Sequence, residues 1–193
     1  IAHCGLDIVL CDVKPRSIDF DLEQLAALLV RFDDRVLAVI PTHLGGRVVD
    51  VAAVRRLSDP QGVFVIEDAA QALGATVNGS SIGLLGHAGF FSFAIGKGLN
   101  LYEGGALITT DNALRIQLEN SHRALIHFDP WMQFKRFVQY MASTLLYRPS
   151  MLRLFYGNPF RRAVQANDWV DAVGDHFSRS IPLHSLSSWR QRC

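Results

Sequence analysis

A three-layer α/β sandwich, with a mostly parallel central sheet and a helical appendage after it, is the fold class that this sequence predicts. Three observations predict it. Runs with strand character alternate with runs at helical spacing through the first two thirds of the chain. Two of the strand runs, RVLAVIP at Arg35–Pro41 and Val63–Ile66, are nearly all apolar, as strands covered on both faces must be. The polar residues suited to chemistry fall just beyond the ends of such runs, where open parallel sheets bind their ligands.

The elements follow in order. Asp7–Val13 (DIVLCDV) alternates and is rich in β-formers, which predicts a short strand. Ser17–Asp21 supplies turn and cap residues, and Leu22, Leu25, Ala26, Leu28 and Leu29 then recur at helical spacing. Arg35–Pro41 is the next strand. Asp50 caps a helix through Leu57, Asp59-Pro60-Gln61-Gly62 turns, and Val63–Ile66 is a buried strand ending in Glu67-Asp68. Val77–Ile82 is a hairpin with Asn78-Gly79 as its turn. Gly89–Ala94 and Gly105–Thr110 are strands around a glycine-rich loop, and Asn112–Arg123 is a helix. Trp131–Tyr147 has the pattern of a long amphipathic helix, Pro149–Phe160 is aromatic with a Gly-Asn-Pro break, and Asn167–Arg192 is mixed. The domain division expected from this change of character is 1–127 as the core and 128–193 as the helical appendage and the start of a C-terminal region.

Length and composition narrow the classes. The 193 residues are 49% hydrophobic, enough to build one sizeable core and to exclude intrinsic disorder. The formal charge of +1 offers no argument for nucleic acid or a membrane as partner. Cys4, Cys11 and Cys193 have neither metal-ligand nor redox-pair spacing and read as reduced thiols of a cytoplasmic protein. The histidines show no ligand spacing, so no metal is expected. No stretch is long enough to span a bilayer, and the start has no basic leader. Because it opens inside a running pattern without Met, the chain is expected to be a fragment.

Three strand ends carry the candidate chemistry: His43 after RVLAVIPT, Asp68 after VFVIE, and Lys97 after GFFSFAIG. Asp68 is either a helix cap or a buried anion set against a cation or protonated heterocycle, since a buried carboxylate without a partner would neutralise. Lys97, between Gly96 and Gly98, is delivered by an aromatic run, and apolar surroundings free a lysine amine to attack a carbonyl. Gln71 lies one helical turn past Asp68. Ser92, between Phe91 and Phe93, bonds either the backbone or a phosphate, and Glu103-Gly104-Gly105 closes the lysine loop. His43 is as consistent with a structural as with a catalytic part.

The ordered set Glu67-Asp68-Ala69-Ala70-Gln71-Ala72, Ser92-Phe93, Gly96-Lys97 and Glu103-Gly104-Gly105-Ala106, with Pro41-Thr42-His43-Leu44 and Gly46, resembles the DegT/DnrJ/EryC1/StrS family. The resemblance covers roughly the first 124 residues. It implies a fold-type-I pyridoxal 5'-phosphate (PLP) aminotransferase acting on a nucleotide-linked keto-sugar, with an amino-acid donor, usually glutamate. It implies Lys97 as the Schiff-base lysine, Asp68 on the pyridine nitrogen, Gln71 near the ring hydroxyl and Ser92 on the phosphate. His43 would lie near the ring or the substrate. It also implies a homodimer, to which the aromatic stretch Trp131–Phe160 either contributes surface or packs back on the core. Departures are Gly98 where the family often has Asn, Ser121-His122-Arg123-Ala124 in place of Arg-x-His-Gly, and no counterpart of the family's phosphate loop and stacking aromatic. Two alternatives stay in view: a PLP sugar dehydratase, which the presence of Lys97 opposes, and a degenerate domain that binds without turnover.

Overall fold

The computed structural model describes residues 4–94, 96–101, 103–146, 151, 153, 157–168 and 184–185. The chain divides into two compact units, the first running to Asn120 and the second beginning at Ser121.

The first unit is built on a sheet of four strands: β1 (Ala38–Val39), β2 (Phe64–Asp68), β5 (Ala88–Ser92) and β6 (Gly105–Ile108), in that order across the sheet. β1, β2 and β5 are parallel, and β6 returns antiparallel to β5. The alternation of strand and helix thus gives the mostly parallel α/β sheet it predicts. Helix α1 (Leu22–Phe32) begins where Asp21 accepts the backbone N–H groups of Glu23 and Gln24. In α2 (Val51–Ser58), Asp50 does the same for Ala53. Both helices lay their apolar sides on one face of the sheet. Leu25, Leu29, Val51 and Val54 close there over Val39, Val63 and Val65. The same face continues into a second cluster of Ala69, Ala72, Ile82 and Phe91.

Between β2 and β5 a small hairpin forms, β3 (Thr76–Val77) against β4 (Ser80–Ser81). Its turn residues Asn78 and Gly79 both take positive φ, 50° and 81°, the combination a two-residue turn of the I′ type demands. The chain then passes over β5 so closely that Gly89 faces the backbone of Gly83. A Cβ at position 89 would lie 2.4 Å from the Gly83 Cα. Only glycine fits that crossing.

The expected strand at Asp7–Val13 does not form; its one ladder contact is an isolated bridge from Val13 to Phe20. Alternation records β-propensity, but a strand also needs an edge to pair with, and Leu10 is instead 86% exposed. The strand expected at Arg35–Pro41 is two residues long, and its first residue belongs instead to the 3₁₀ turn Asp33–Arg35 that follows α1.

Helix α3 (Asn112–Leu125) starts on Asp111, whose carboxylate takes the N–H groups of Ala113 and Leu114. In the second unit, α4 (Pro130–Leu146) starts on Asp129, which accepts from Met132, and α5 covers Asn158–Gln165. Tyr147, the last residue of the helix expected there, and most of the mixed region 167–192 lie outside the described residues. No helix among the described residues is long and apolar enough to cross a membrane.

Candidate active site

Strand period decides which candidates share a face. Asp68 stands opposite Phe90 in the β2–β5 register, and Ser92 is two residues further on. Both therefore project from one face of the sheet, at the carboxyl ends of adjacent parallel strands. The Asp68 carboxylate is half-buried and accepts one hydrogen bond, from the Ala70 N–H at 3.1 Å. The Ser92 hydroxyl accepts from the Ala94 N–H at 3.3 Å, which leaves its own O–H free to donate.

The loop after β5 carries Lys97. It is pinched at its base, where the Phe93 N–H donates to the Gly104 carbonyl and the Leu101 N–H donates to the Phe93 carbonyl, both at 2.9 Å. Gly104 takes φ 90°, so the Glu103-Gly104-Gly105 turn does close this loop. Gly96 takes φ 85°, and the Lys97 N–H donates to the Ala94 carbonyl. The Lys97 side chain is half-buried, and among the described residues it makes no ion pair. Gly98 faces the side chain of Leu73, so the loop returns toward the segment that follows Asp68. On that segment Gln71 accepts the Gly45 N–H on its side-chain oxygen at 3.2 Å, leaving its amide N–H groups to donate elsewhere. Asp68, Gln71, Ser92 and Lys97 thus stand on the segments at and just beyond the carboxyl ends of β2 and β5.

His43 is not among them. It lies on the opposite face, fully buried, beside an equally buried Glu67. Its Nε2 is 3.0 Å from Glu67, and its Nδ1 accepts the Val49 N–H at 3.1 Å. The Val49 contact places the proton on Nε2, so His43 donates to Glu67 and both ring nitrogens are taken within the protein. Thr42, whose backbone bridges Asp68, is the member of this turn on the Asp68 face. Sequence reading picked the histidine for its chemistry, whereas strand period would have picked its neighbour.

Glu67, part of the sequence motif but given no role there, is the hub of this second cluster. Its carboxylate also accepts the N–H groups of Gly83 at 2.9 Å and of Leu85 and Gly86 at 2.6 Å each. Burial pushes its pKa up, but the bonds from His43 and from the Gly86, Gly83 and Leu85 amides outweigh that, holding it below the usual carboxylate range. The cluster ties the end of β1, the strand β2 and the loop entering β5 into one block. It positions the ends from which Asp68 and Ser92 project.

A cleft of about 870 Å³ lies between α2 and the hairpin, and none of Asp68, Gln71, Ser92 or Lys97 lines it. Among the described residues no group of three or more His, Cys, Asp or Glu could hold a metal ion.

Residues 1–140 match the model of the DegT/DnrJ/EryC1/StrS aminotransferase family. The pleiotropic regulatory protein of Geobacillus stearothermophilus is 39% identical over 115 residues, covering 59% of this chain and 30% of that protein. GDP-perosamine synthase of Caulobacter vibrioides is 36% identical over 118 residues, 61% of this chain and 31% of that one. The crystal structure of DesI in the presence of its TDP-sugar product superposes with a TM-score of 0.59 at 36% identity, covering 63% of this chain and 30% of that one. The chain spans about a third of the length of the curated relatives it matches.

Proposed function

The chain belongs to the DegT/DnrJ/EryC1/StrS aminotransferase family, and on that premise we propose that the complete protein is a PLP-dependent aminotransferase. Its reaction in this proposal moves an amino group from an amino-acid donor, glutamate first, to a nucleotide-linked keto-sugar. One observation carries it: a carboxylate and a hydroxyl share a face at adjacent strand ends, with a half-buried lysine in the loop that continues one of those strands.

The donor set suits the cofactor. Asp68 has accepting capacity beyond the Ala70 amide and would hold a protonated ring nitrogen. Ser92 has a proton to give to a phosphate oxygen, and Gln71 has amide protons for the ring hydroxyl. Lys97 would supply the amine that holds the cofactor at its aldehyde carbon, and as a free amine it could carry a proton to and from the substrate carbon. When bound, PLP supplies an electron sink for the pair released at that carbon. Asp68, as an anion, keeps the ring nitrogen protonated so that the sink is deep. His43 holds the β1 end from behind in this scheme and touches neither ring nor substrate.

Two relatives support the sugar nucleotide, one named for a GDP-linked sugar and another solved with a TDP-sugar product. By the same proposal the cofactor core lies within residues 1–127, the region 128–193 is an appendage, and the complete protein is a cytoplasmic homodimer. Sedimentation and cell fractionation check those last two points. The deciding experiment is borohydride reduction of the complete protein after incubation with PLP, with the modified peptide mapped by mass spectrometry. A pyridoxyl group on Lys97 is the expected result. A folded protein with Lys97 unmodified would overturn the proposal.

A further inference from the structure

Helix α4 is placed with its sides reversed relative to an ordinary surface helix. Trp131, Phe134, Val138 and Met141 follow one another at spacings of three, four and three, so they form one stripe. They are 72%, 57%, 48% and 45% exposed. The opposite side carries Met132, Gln133 and Arg136, and Gln133 is only 7% exposed. Its amide donates to the Ser185 carbonyl at 2.7 Å. The helix therefore rests on its own unit by a polar side and turns its apolar stripe outward, where the Trp131 and Phe134 rings stack on each other at 5.9 Å between centroids.

Charge along the sequence that carries the stripe is one-sided. From Phe128 to Asn167 the sequence has six cations, Lys135, Arg136, Arg148, Arg153, Arg161 and Arg162, against the single acid Asp129. That is a net of +5 in a chain whose total is +1, so the near-neutral whole conceals a basic segment. The same forty residues hold nine of the 19 aromatic side chains. Arg161 and Arg162 are exposed on α5.

We propose that this segment docks on an anionic phospholipid surface, with α4 lying in the interface. Three properties select that occupant. Exposed Trp131 and Phe134, with exposed Lys135 on the same helix and a segment rich in arginine, is the composition that binds headgroups and the upper acyl region together. A helix of 17 residues carrying Lys135 and Arg136 lies on a bilayer and does not span it. A second copy using the same patch would bring two such basic segments face to face, which like charge opposes. The proposal goes beyond transamination and does not depend on it.

The test is co-sedimentation of the complete protein with vesicles of phosphatidylcholine alone or with about 30% phosphatidylglycerol, at about 0.1 M and about 0.5 M salt. Binding is expected to the anionic vesicles only and to weaken at high salt. Trp131→Ser with Phe134→Ser, and separately Arg161→Glu with Arg162→Glu, should each lower it by at least about tenfold, with circular dichroism unchanged. Absence of vesicle binding by the parent protein overturns the proposal. So does binding that both double substitutions leave unchanged. A sedimentation shift from oligomer to monomer in the Trp131→Ser, Phe134→Ser protein, without vesicle binding by the parent, would assign the stripe to a second copy instead. Each result is independent of whether Lys97 takes up PLP.

Discussion

Replacing Glu67 by alanine removes the acceptor of four hydrogen bonds at once: the Gly83, Leu85 and Gly86 N–H groups and the His43 Nε2–H. The donors stay behind in a site where Glu67 and His43 are both fully buried. Each bond to a charged acceptor is worth ~1.5–3 kcal/mol, and they are not additive. Leaving a buried donor without its acceptor costs about 1–3 kcal/mol, so the four stranded donors together should cost about 3–5 kcal/mol in Glu67→Ala. Glu67→Gln keeps the shape but turns an N–H₂ toward amide donors whichever way the group is oriented, so about 2–3 kcal/mol should go. His43→Ala removes one of the four bonds and leaves the three backbone donors on Glu67. With Glu67→Ala it should form a non-additive cycle, coupled by about 1.5–3 kcal/mol. Urea unfolding of the complete protein, followed by circular dichroism and extrapolated linearly, gives all four values. A Glu67→Ala cost below about 1 kcal/mol, or a cycle additive to within ~0.5 kcal/mol, would refute the assignment of Glu67 as the hub.

Three further outcomes are expected. The folded-state pKa of Glu67 is lowered, so its contribution to stability is complete above the unfolded glutamate value of about 4.3 and is lost as pH falls through the folded value. Urea curves across the acid range should show that slope in the parent and a flatter one in Glu67→Gln. Gly89→Ala would place a Cβ 2.4 Å from Gly83 backbone atoms and should cost about 1–3 kcal/mol, read as a lowered urea midpoint. Asp68→Asn should slow transamination by about 10²–10³-fold while borohydride still fixes PLP on Lys97, because the ring nitrogen loses its counter-ion but the amine is untouched. Full rate in that variant would remove Asp68 from the site.

What the sequence made legible was whatever short-range chemistry decides. The caps Asp21 and Asp50, the Asn78-Gly79 turn and the apolar run that opens β2 are all properties of a few neighbouring residues. The places of Asp68, Ser92 and Lys97 at or just beyond strand ends were legible too, because the ends could be counted. Pairing was not. DIVLCDV has every local mark of a strand, yet a ladder depends on a partner elsewhere in the chain. The role of Glu67 stayed unseen for a related reason. Its three amide donors lie sixteen to nineteen residues away, in a loop whose approach depends on the Gly83–Gly89 crossing. The outward stripe of α4 was hidden differently. Spacing predicts an amphipathic helix but not which side meets the protein.

The two faces of β2 have a consequence for how variants of this chain must be interpreted. Glu67 and Asp68 are adjacent in one strand, so alternation puts the clamp and the proposed ring-binding acid back to back. The Asp68 backbone is itself held by the turn that carries the clamp's histidine. Its N–H donates to the Pro41 carbonyl, and its carbonyl accepts the His43 N–H, both at 2.9 Å. Loosening the His43–Glu67 pair therefore moves the strand end from which Asp68 projects. A His43 variant should lose activity without its ring ever touching substrate. Activity alone would then point to His43 as catalytic, as its place after an apolar strand already suggests. Stability measured on the same variant separates the two roles, since a residue acting on the substrate would lower the rate and leave the urea midpoint in place.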